Sequence, residues 1–278
     1  MISLNKKNFL IFVFIILSFS TFIRVYDIKD PISTNGIDEG IHLLQAKMMG
    51  EGYDYYSDLN GDQAPLALLT FSLFKGDVIS CRYLSVFLFL VSSLTLFFIA
   101  RRVGGEKAAT LALVILFLDF TIHRESRLAS LDLFSASLLC ISSLFFIRYV
   151  EEDGLLNISL ASLFLSLSML SKIIPAFFAI FLTLFIIWKS KKMIHIFLYF
   201  LFLLIPLAVV LNFFSLDQLI EGVLIRQMHR GMDWYSKLSV FLFIGPSFIY
   251  LYAIKKWNIK DKKILYIVLW ILLLFIPI

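Results

Sequence analysis

Long apolar runs separated by short polar loops are the feature that most constrains this chain. With 60% hydrophobic and 16% charged residues, the sequence has too little polar surface to cover a soluble globule of 278 residues. We predict an all-α, polytopic transmembrane helical bundle that forms one domain over residues 1–278, without a separate soluble domain. The runs that predict about nine spans are residues 9–23, 79–100, 108–122, 133–147, 155–171, 173–188, 194–211, 238–254 and 264–278.

Basic residues concentrate in alternate loops, and this pattern predicts the orientation of the chain. With a cytoplasmic N-terminus, most lysines and arginines and few acidic residues lie on the inner side. Membrane orientation therefore accounts for the net charge of +5, and we expect no nucleic-acid partner. The run after Lys6 and Lys7 is a retained first span, because no signal-peptide cleavage pattern follows it. Cys81 and Cys140 lie in apolar text and predict neither a disulfide framework nor a metal site.

Two apolar stretches have the wrong length for a single transmembrane helix. Residues 155–188 would form a helix about 50 Å long, against a hydrocarbon core of about 30 Å, so this stretch must fold back. Lys172 and Pro175 mark the turn between its two arms. Residues 66–74 would extend only about 14 Å as a helix. We expect them to form a re-entrant or interfacial segment on the outer side.

A long polar loop at residues 24–78 follows the first span, and we expect it on the outer side with short interfacial helices. Asp38 and Glu39 stand together where a helical pattern begins, with Asn35 or Asp38 able to cap it and Gly50 placed to end it. An adjacent carboxylate pair is a candidate for catalysis. The alternative is that both carboxylates only cap the helix and complement its dipole.

Ionisable groups return to the same side at the ends of later runs, where they are costly unless paired or facing water. Arg127 and Asp132 straddle one turn, and the Arg127 guanidinium offers a fork that fits phosphate oxygens. An ion-paired hinge is the alternative for these two residues. Lys172 is either a point charge for a lipid-linked phosphate or a snorkelling side chain at a hairpin tip.

The last outer loop contains Arg226 and Arg230, four residues apart, with His229 between them. We predict that Arg226 and His229 help to bind substrate. A basic cluster that meets anionic lipid headgroups is the alternative. His229 is a poor metal ligand candidate, because no second ligand stands at a metal-binding spacing. A divalent cation remains an expectation without assigned ligands.

Four segments carry a resemblance through their order along the chain: IDEGIHLLQAKMMGEG, QAPLALL, SRLASLD and LSMLSKIIPAFF. From about residue 9 to residue 235, the chain resembles the membrane glycosyltransferases of the C superfamily. The branch that it resembles most contains the dolichyl-phosphate-mannose protein mannosyltransferases and the aminoarabinose transferases of lipid A.

The resemblance implies an enzyme of the cell membrane that works at the outer face. It would take a sugar from a polyprenyl-phosphate donor, invert the anomeric carbon and glycosylate a hydroxyl of an unknown protein, lipid or glycan. Asp38 falls on the catalytic carboxylate of this family and Glu39 on its partner. Arg127 and Asp132 fall on the second-loop motif, and Lys172 on a residue that contacts the donor phosphate.

The chain departs from the family pattern before the re-entrant segment. Relatives usually carry a basic or acidic residue and two prolines there, whereas this chain has Gln63, Ala64 and a single Pro65. A metal ligand or phosphate contact at this point is therefore left open. After residue 235 the sequence matches no family motif.

The chemistry that the resemblance implies suits the residues present. Loss of a glycosyl phosphate needs cations on the phosphate and a carboxylate base on the acceptor hydroxyl. Asp38 would be the base, Asp132 would orient Arg127, and three cations would hold the phosphate: Arg127, Lys172 and Arg226. Three aromatic side chains in the first outer loop offer faces to a sugar ring: Tyr53, Tyr55 and Tyr56.

Two other classes of function use the same features. A lipid-linked sugar transporter or flippase would line a translocation path with these charges, and a non-catalytic subunit of an envelope complex would have no need of Asp38. The charges gather at the outer face rather than the bilayer midplane, and the two halves show no repeat of the kind common in carriers. These observations favour the enzyme.

Overall fold

The computed structural model describes residues 6–30, 37–190 and 192–226, and the regular structure in this part of the chain is helical. Its elements are α1 (Lys6–Val25), α2 (Ile37–Gly50), α3 (Leu66–Ser72), α4 (Val78–Leu118), α5 (Phe120–Glu125), α6 (Leu131–Glu152), α7 (Leu155–Met169), α8 (Ala176–Lys189), α9 (Met193–Val210), α10 (Leu216–Leu219) and a π-helical turn (Ile220–Ile225).

Among the described residues, three helices are long and apolar enough to cross a membrane: Val78–Leu118, Leu131–Glu152 and Met193–Val210. Shorter apolar helices cover Phe9–Val25, Leu155–Met169 and Ala176–Ile187. The prediction of an all-α protein with long apolar helices is confirmed, whereas nine separate spans are not shown. The predicted runs 238–254 and 264–278 lie outside the described residues.

Helix α4 is broken at Gly105, and the chain reverses there. Gly105 has a φ of 75°, in the left-handed region that glycine adopts at little cost. Ala109 and Leu113 after the break share one hydrophobic cluster with Phe97 before it. In a straight helix, Phe97 and Leu113 would lie about 24 Å apart. The two arms therefore correspond to the separate runs predicted at residues 79–100 and 108–122.

The predicted reversal near Lys172 is confirmed as a break between two helices. Helix α7 ends at Met169, and α8 begins at Ala176 after Pro175, whose missing N–H suits a helix start. Buried residues of both helices, among them Leu165 and Leu182, pack into one cluster with α6 and α9. The turn between the two helices is therefore held by the packing on either side.

Serine side chains join the central helices. The Ser92 hydroxyl of α4 donates a hydrogen bond to the Ser137 hydroxyl of α6 at 2.7 Å. Farther along α6, the Ser142 hydroxyl donates to the backbone oxygen of Ala161 in α7 at 2.7 Å. Small residues let helices approach closely and satisfy their own polar groups in apolar surroundings. These contacts make α4, α6 and α7 a frame that carries the loops.

One hydrophobic cluster, which we call the loop cluster, gathers the polar segments at one end of this frame. It contains buried residues from α2, α3, α4, α6, α9, α10, the π-helical turn and the loops between them: Leu43, Ala46, Tyr55, Tyr56, Ala64, Ala67, Leu68, Phe71, Cys81, Leu88, Ala129, Leu131, Phe134, Val210, Phe214, Leu219 and Val223. The predicted short segment at residues 66–74 is confirmed as the short helix α3. Its first backbone N–H, from Leu66, donates to the Leu170 oxygen at 2.8 Å.

Ion pairs hold the other end of the bundle. Arg102 pairs with Glu151 and Glu152, and Lys192 Nζ lies 3.4 Å from Asp153 Oδ2. Helix α6 has 22 residues and is about 33 Å long, and it separates this end from the loop cluster. The loops that the charge pattern assigns to two sides thus lie at opposite ends of α6.

Candidate active site

Glu39 is the centre of the polar contacts beside the loop cluster. It lies in the first turn of α2 and is buried, with 7% of its surface exposed. The Arg82 guanidinium binds its carboxylate through two hydrogen bonds, Nε to Oε1 at 2.8 Å and Nη2 to Oε2 at 2.6 Å. The Ala129 backbone N–H also donates to Oε1 at 2.8 Å. Glu39 therefore links α2, α4 and the segment that precedes α6.

Arg82 extends this connection to the end of α1. Its third nitrogen, Nη1, donates to the backbone oxygens of Ile28 at 2.7 Å and Lys29 at 2.9 Å. Arg82 is itself buried. A guanidinium presents its donors in a rigid fork, so that these four bonds fix the relative position of three chain segments. Arg82 is not among the residues predicted for the site, although a charge inside an apolar run is a recognisable signal.

Asp38 has the opposite environment from that of its neighbour. Asp38 is exposed in the first turn of α2, and among the described residues its carboxylate has no hydrogen-bond or ion-pair partner. Helix α2 ends at Gly50, as predicted, but Asp38 lies inside the helix rather than at its cap. The acidic pair is thus divided into one carboxylate that is locked in the protein and one that is open to a ligand.

Lys172 and Asp132 are brought together. The Lys172 ammonium in the α7–α8 turn pairs with the Asp132 carboxylate in the first turn of α6, and both are half-buried. Asp132 is predicted to orient Arg127, but in the described structure its carboxylate pairs with Lys172 instead. The reason is tertiary, since the contact between α6 and α7 places the α7–α8 turn beside the start of α6.

Arg127 fastens its loop to the end of α1. Its Nη2 donates to the Asp27 backbone oxygen at 2.6 Å, and the Asp30 oxygen lies 3.4 Å away. Its Nε is buried without an acceptor among the described residues. Burial lowers the pKa of the Arg127 guanidinium, and the nearby Arg82 charge lowers it further. Arg127 therefore keeps unused donor capacity, and both the Arg82 cation and the carboxylates of Asp27 and Asp30 lie near it.

Arg24 is a second arginine that the sequence analysis missed. It is completely buried at the end of α1, where its Nε donates to the Ser126 hydroxyl at 2.7 Å and its Nη1 to the Ser20 hydroxyl at 2.7 Å. The guanidinium also lies 3.7 Å above the Phe89 ring. The same environment lowers the pKa of His123. Burial is the largest cause, and the positive charges of Arg24 and Arg127 lower this pKa further. The sequence signal that could have identified Arg24 is a lone basic residue at the end of the first apolar run.

Arg226 reaches back to the first loop. Its Nη1 donates to the Gly61 backbone oxygen at 3.1 Å, and its Nη2 lies 3.4 Å from Glu221 Oε1. In the preceding helix, Gln218 Nε2 lies 3.3 Å from Asp54 Oδ1. The last described segment therefore covers the loop at residues 53–63. The predicted site residue His229 lies outside the described residues.

The three tyrosines of the first loop do not share one role. Tyr55 and Tyr56 are buried in the loop cluster, and their hydroxyls hydrogen-bond to the backbone of Gln63. The expectation that both offer an open face to a sugar is therefore wrong. Tyr53 is 49% exposed and remains available. Sequence alone does not separate a core tyrosine from an interfacial one.

In the residues that the structure describes, no three His, Cys, Asp or Glu side chains are grouped so that they could hold a metal ion. The described side chains therefore offer no metal site with three protein ligands.

A family model described as dolichyl-phosphate-mannose-protein mannosyltransferase matches residues 64–216, slightly more than half of the chain. The matched range includes Arg127, Asp132 and Lys172, whereas Asp38 and Glu39 precede it. Searches among curated proteins and among solved structures find no match.

Proposed function

The chain belongs to the dolichyl-phosphate-mannose-protein mannosyltransferase family, and we propose which of its residues take part in sugar transfer. Members of this family are membrane glycosyltransferases that use a lipid-phosphate sugar donor, and the chain is an integral membrane protein of this kind. We propose that it moves a sugar from a polyprenyl-phosphate donor to an acceptor hydroxyl with inversion, and that Asp38 is the base.

The difference between the two neighbouring carboxylates carries this assignment. The Glu39 oxygens are occupied by Arg82 and the Ala129 N–H, so that proton transfer to Glu39 would break a buried ion pair. Asp38 is exposed, and its carboxylate has no partner among the described residues. A general base must be able to approach the proton that it removes. Asp38 meets this requirement, and Glu39 acts as the residue that positions it.

The reaction is a single displacement. The acceptor oxygen attacks the anomeric carbon while its proton passes to Asp38, and the bond between that carbon and the phosphate oxygen breaks. Negative charge then grows on the departing polyprenyl phosphate. Cations placed where this charge develops stabilise the transition state more than the ground state.

Lys172, Arg127 and Arg226 are the cations that we assign to the phosphate. Lys172 is half-buried and held by Asp132, so that a phosphate can share or replace this carboxylate without moving the lysine far. Arg127 has a guanidinium nitrogen without an acceptor among the described residues. Arg226 anchors the segment that covers the first loop. His229 remains a proposed contact to substrate.

We also propose the orientation of the chain, with the N-terminus in the cytoplasm and the site on the outer face. The site lies at the end of α6 that is remote from Arg102 and Lys192. Lysines and arginines in short loops favour the cytoplasmic side. The opposite end, with the acid-rich first loop, then faces outward.

Release of free polyprenyl phosphate tests the proposed function. Purified protein in sealed proteoliposomes is given polyprenyl phosphate that carries radiolabelled mannose, glucose or galactose, together with peptide, glycolipid or oligosaccharide acceptors. We expect release that requires an acceptor and is matched by labelled product whose anomeric configuration is opposite to that of the donor. Donor that moves across the bilayer intact, without release for any acceptor, would contradict the proposal in favour of a transporter.

A further inference from the structure

Helix α2 presents two different faces beside Glu39. Glu39, Leu43 and Ala46 follow one another at helical spacing, and all three are buried. Asp38, His42 and Gln45 have the same spacing, shifted by one residue, and therefore form the adjacent stripe of the helix. Because Arg82 and Ala129 lock the buried face, the direction of the Asp38 stripe is fixed as well.

Gln45 differs from the other polar residues of the helix. Its amide oxygen is buried, and it has no hydrogen-bond partner among the described residues. Buried polar atoms are nearly always paired, because water that is lost on burial must be replaced by another partner. An acceptor that has no partner in the described part of the chain, on the same stripe as the proposed base, points to a donor group that arrives with the substrate.

The chemistry of that donor follows from the reaction. Gln45 is seven residues after Asp38, which corresponds to about 10 Å along the helix axis. Side chains on a helix lean towards its N-terminus. The long Gln45 side chain extends farther in this direction than the short Asp38 side chain, so the distance between the two polar groups is shorter than the distance between their backbones. A sugar ring whose anomeric carbon lies near Asp38 can place a hydroxyl at this amide. The phosphate cannot fill this role, because an anion offers no proton to an acceptor oxygen.

We propose that Gln45 is a specificity-determining residue that accepts a hydrogen bond from a hydroxyl of the donor sugar. This inference rests on the proposed function, since it needs a sugar at Asp38. A site that provides a hydrogen-bond partner for a hydroxyl discriminates strongly against analogues without that hydroxyl, because the buried group is then left unpaired. Gln45 thus distinguishes the sugar-bearing lipid from the bare lipid phosphate.

Equilibrium binding to the full-length protein tests the proposal without turnover. The probes are bare polyprenyl phosphate and polyprenyl phosphate that carries mannose, glucose or galactose. We expect wild type to bind one sugar-bearing lipid about tenfold more tightly than the bare lipid, the scale of one net hydrogen bond. Q45L should remove most of this preference while binding bare polyprenyl phosphate normally. Because leucine removes a buried unpaired acceptor, the thermal stability of the variant should equal or exceed that of wild type.

A control variant and a set of modified donors test whether the effect is specific to Gln45. K47L also introduces leucine into α2, but at an exposed position away from the Asp38 stripe. This variant should keep the preference for the sugar-bearing lipid. Donors that lack one hydroxyl identify the contact. The analogue that lacks the contacted hydroxyl should bind to wild type and Q45L with equal affinity, whereas the other analogues should still bind more tightly to wild type. Equal sugar preference in wild type and Q45L would overturn the proposal, as would a wild type that does not prefer any sugar-bearing lipid. If the preference is lost in Q45L but no donor is ever turned over, Gln45 keeps its role and the proposed function fails.

Discussion

Glu39 and Arg82, which are 43 residues apart in the sequence, form a buried ion pair with two hydrogen bonds of 2.8 Å and 2.6 Å. The pair joins the first turn of α2 to the start of α4, and Arg82 continues to the end of α1 through Ile28 and Lys29. Asp38 therefore stands on a helix whose position is fixed by its own neighbour. The geometry separates a buried, paired carboxylate from an exposed one.

The first prediction concerns the stability that this pair provides. E39A leaves the Arg82 charge buried without a counter-charge and the Ala129 N–H without its acceptor, so that stability should fall by about 3–5 kcal/mol. The same substitution next to it, D38A, should change stability by less than about 0.5 kcal/mol, because the residue is exposed. Thermal unfolding in one detergent measures both. Equal losses in the two variants would show that Glu39 is not a structural anchor.

The second prediction concerns Lys172 and Asp132. K172Q should raise the KM for the donor about tenfold or more, because it removes a charge that binds phosphate. D132N in the K172Q background should add little, since the carboxylate acts by holding the lysine. Donor KM values for wild type, the two single variants and the double variant form the test. Losses that simply add would mean that the two side chains act independently.

The third prediction concerns the Arg127 fork. R127A should weaken donor use, and R127K should restore it only in part, because an ammonium lacks the planar set of donors. R101A is a suitable control, since Arg101 is exposed near the other end of the bundle. Donor dependence that is normal in R127A would restrict Arg127 to its backbone contacts with Asp27 and Asp30. Folding is checked separately by thermal unfolding.

The fourth prediction concerns orientation. In a background without Cys81 and Cys140, a membrane-impermeant thiol reagent added to sealed cells should label S57C and D217C but not S190C. Ser57 and Asp217 are exposed near the site, whereas Ser190 follows α8 at the other end. Labelling of S190C together with protection of the other two would reverse the orientation and place the site in the cytoplasm.

Local patterns predicted the parts of the fold that depend on length and on helix breakers. The end of α2 at Gly50 and the break around Lys172 and Pro175 follow from such signals and are confirmed. The partner of Asp132 could not be predicted in this way, because spacing within one segment does not reveal that the turn after α7 lies beside it. The role of Arg82 was likewise hidden, since its contacts come from segments far apart in the sequence.

The tyrosines illustrate the same limit for the site. Tyr53, Tyr55 and Tyr56 are alike in the sequence, yet only Tyr53 keeps an exposed ring. The loop cluster decides this difference, and its members come from most of the described chain. Composition identifies aromatic residues at a membrane interface, but packing decides which of them a ligand can reach.

The rate of polyprenyl phosphate release by D38N tests whether Asp38 is the general base. Asparagine keeps the size and much of the hydrogen bonding but cannot take the acceptor proton, so that turnover should fall about a hundredfold or more with little change in donor binding. D77N is the matched control in the same loop, because the Asp77 side chain caps α4 and asparagine is an equally good cap. We predict a large loss of turnover in D38N and near-normal turnover in D77N. Near-normal release of polyprenyl phosphate by D38N would show that Asp38 is not the general base.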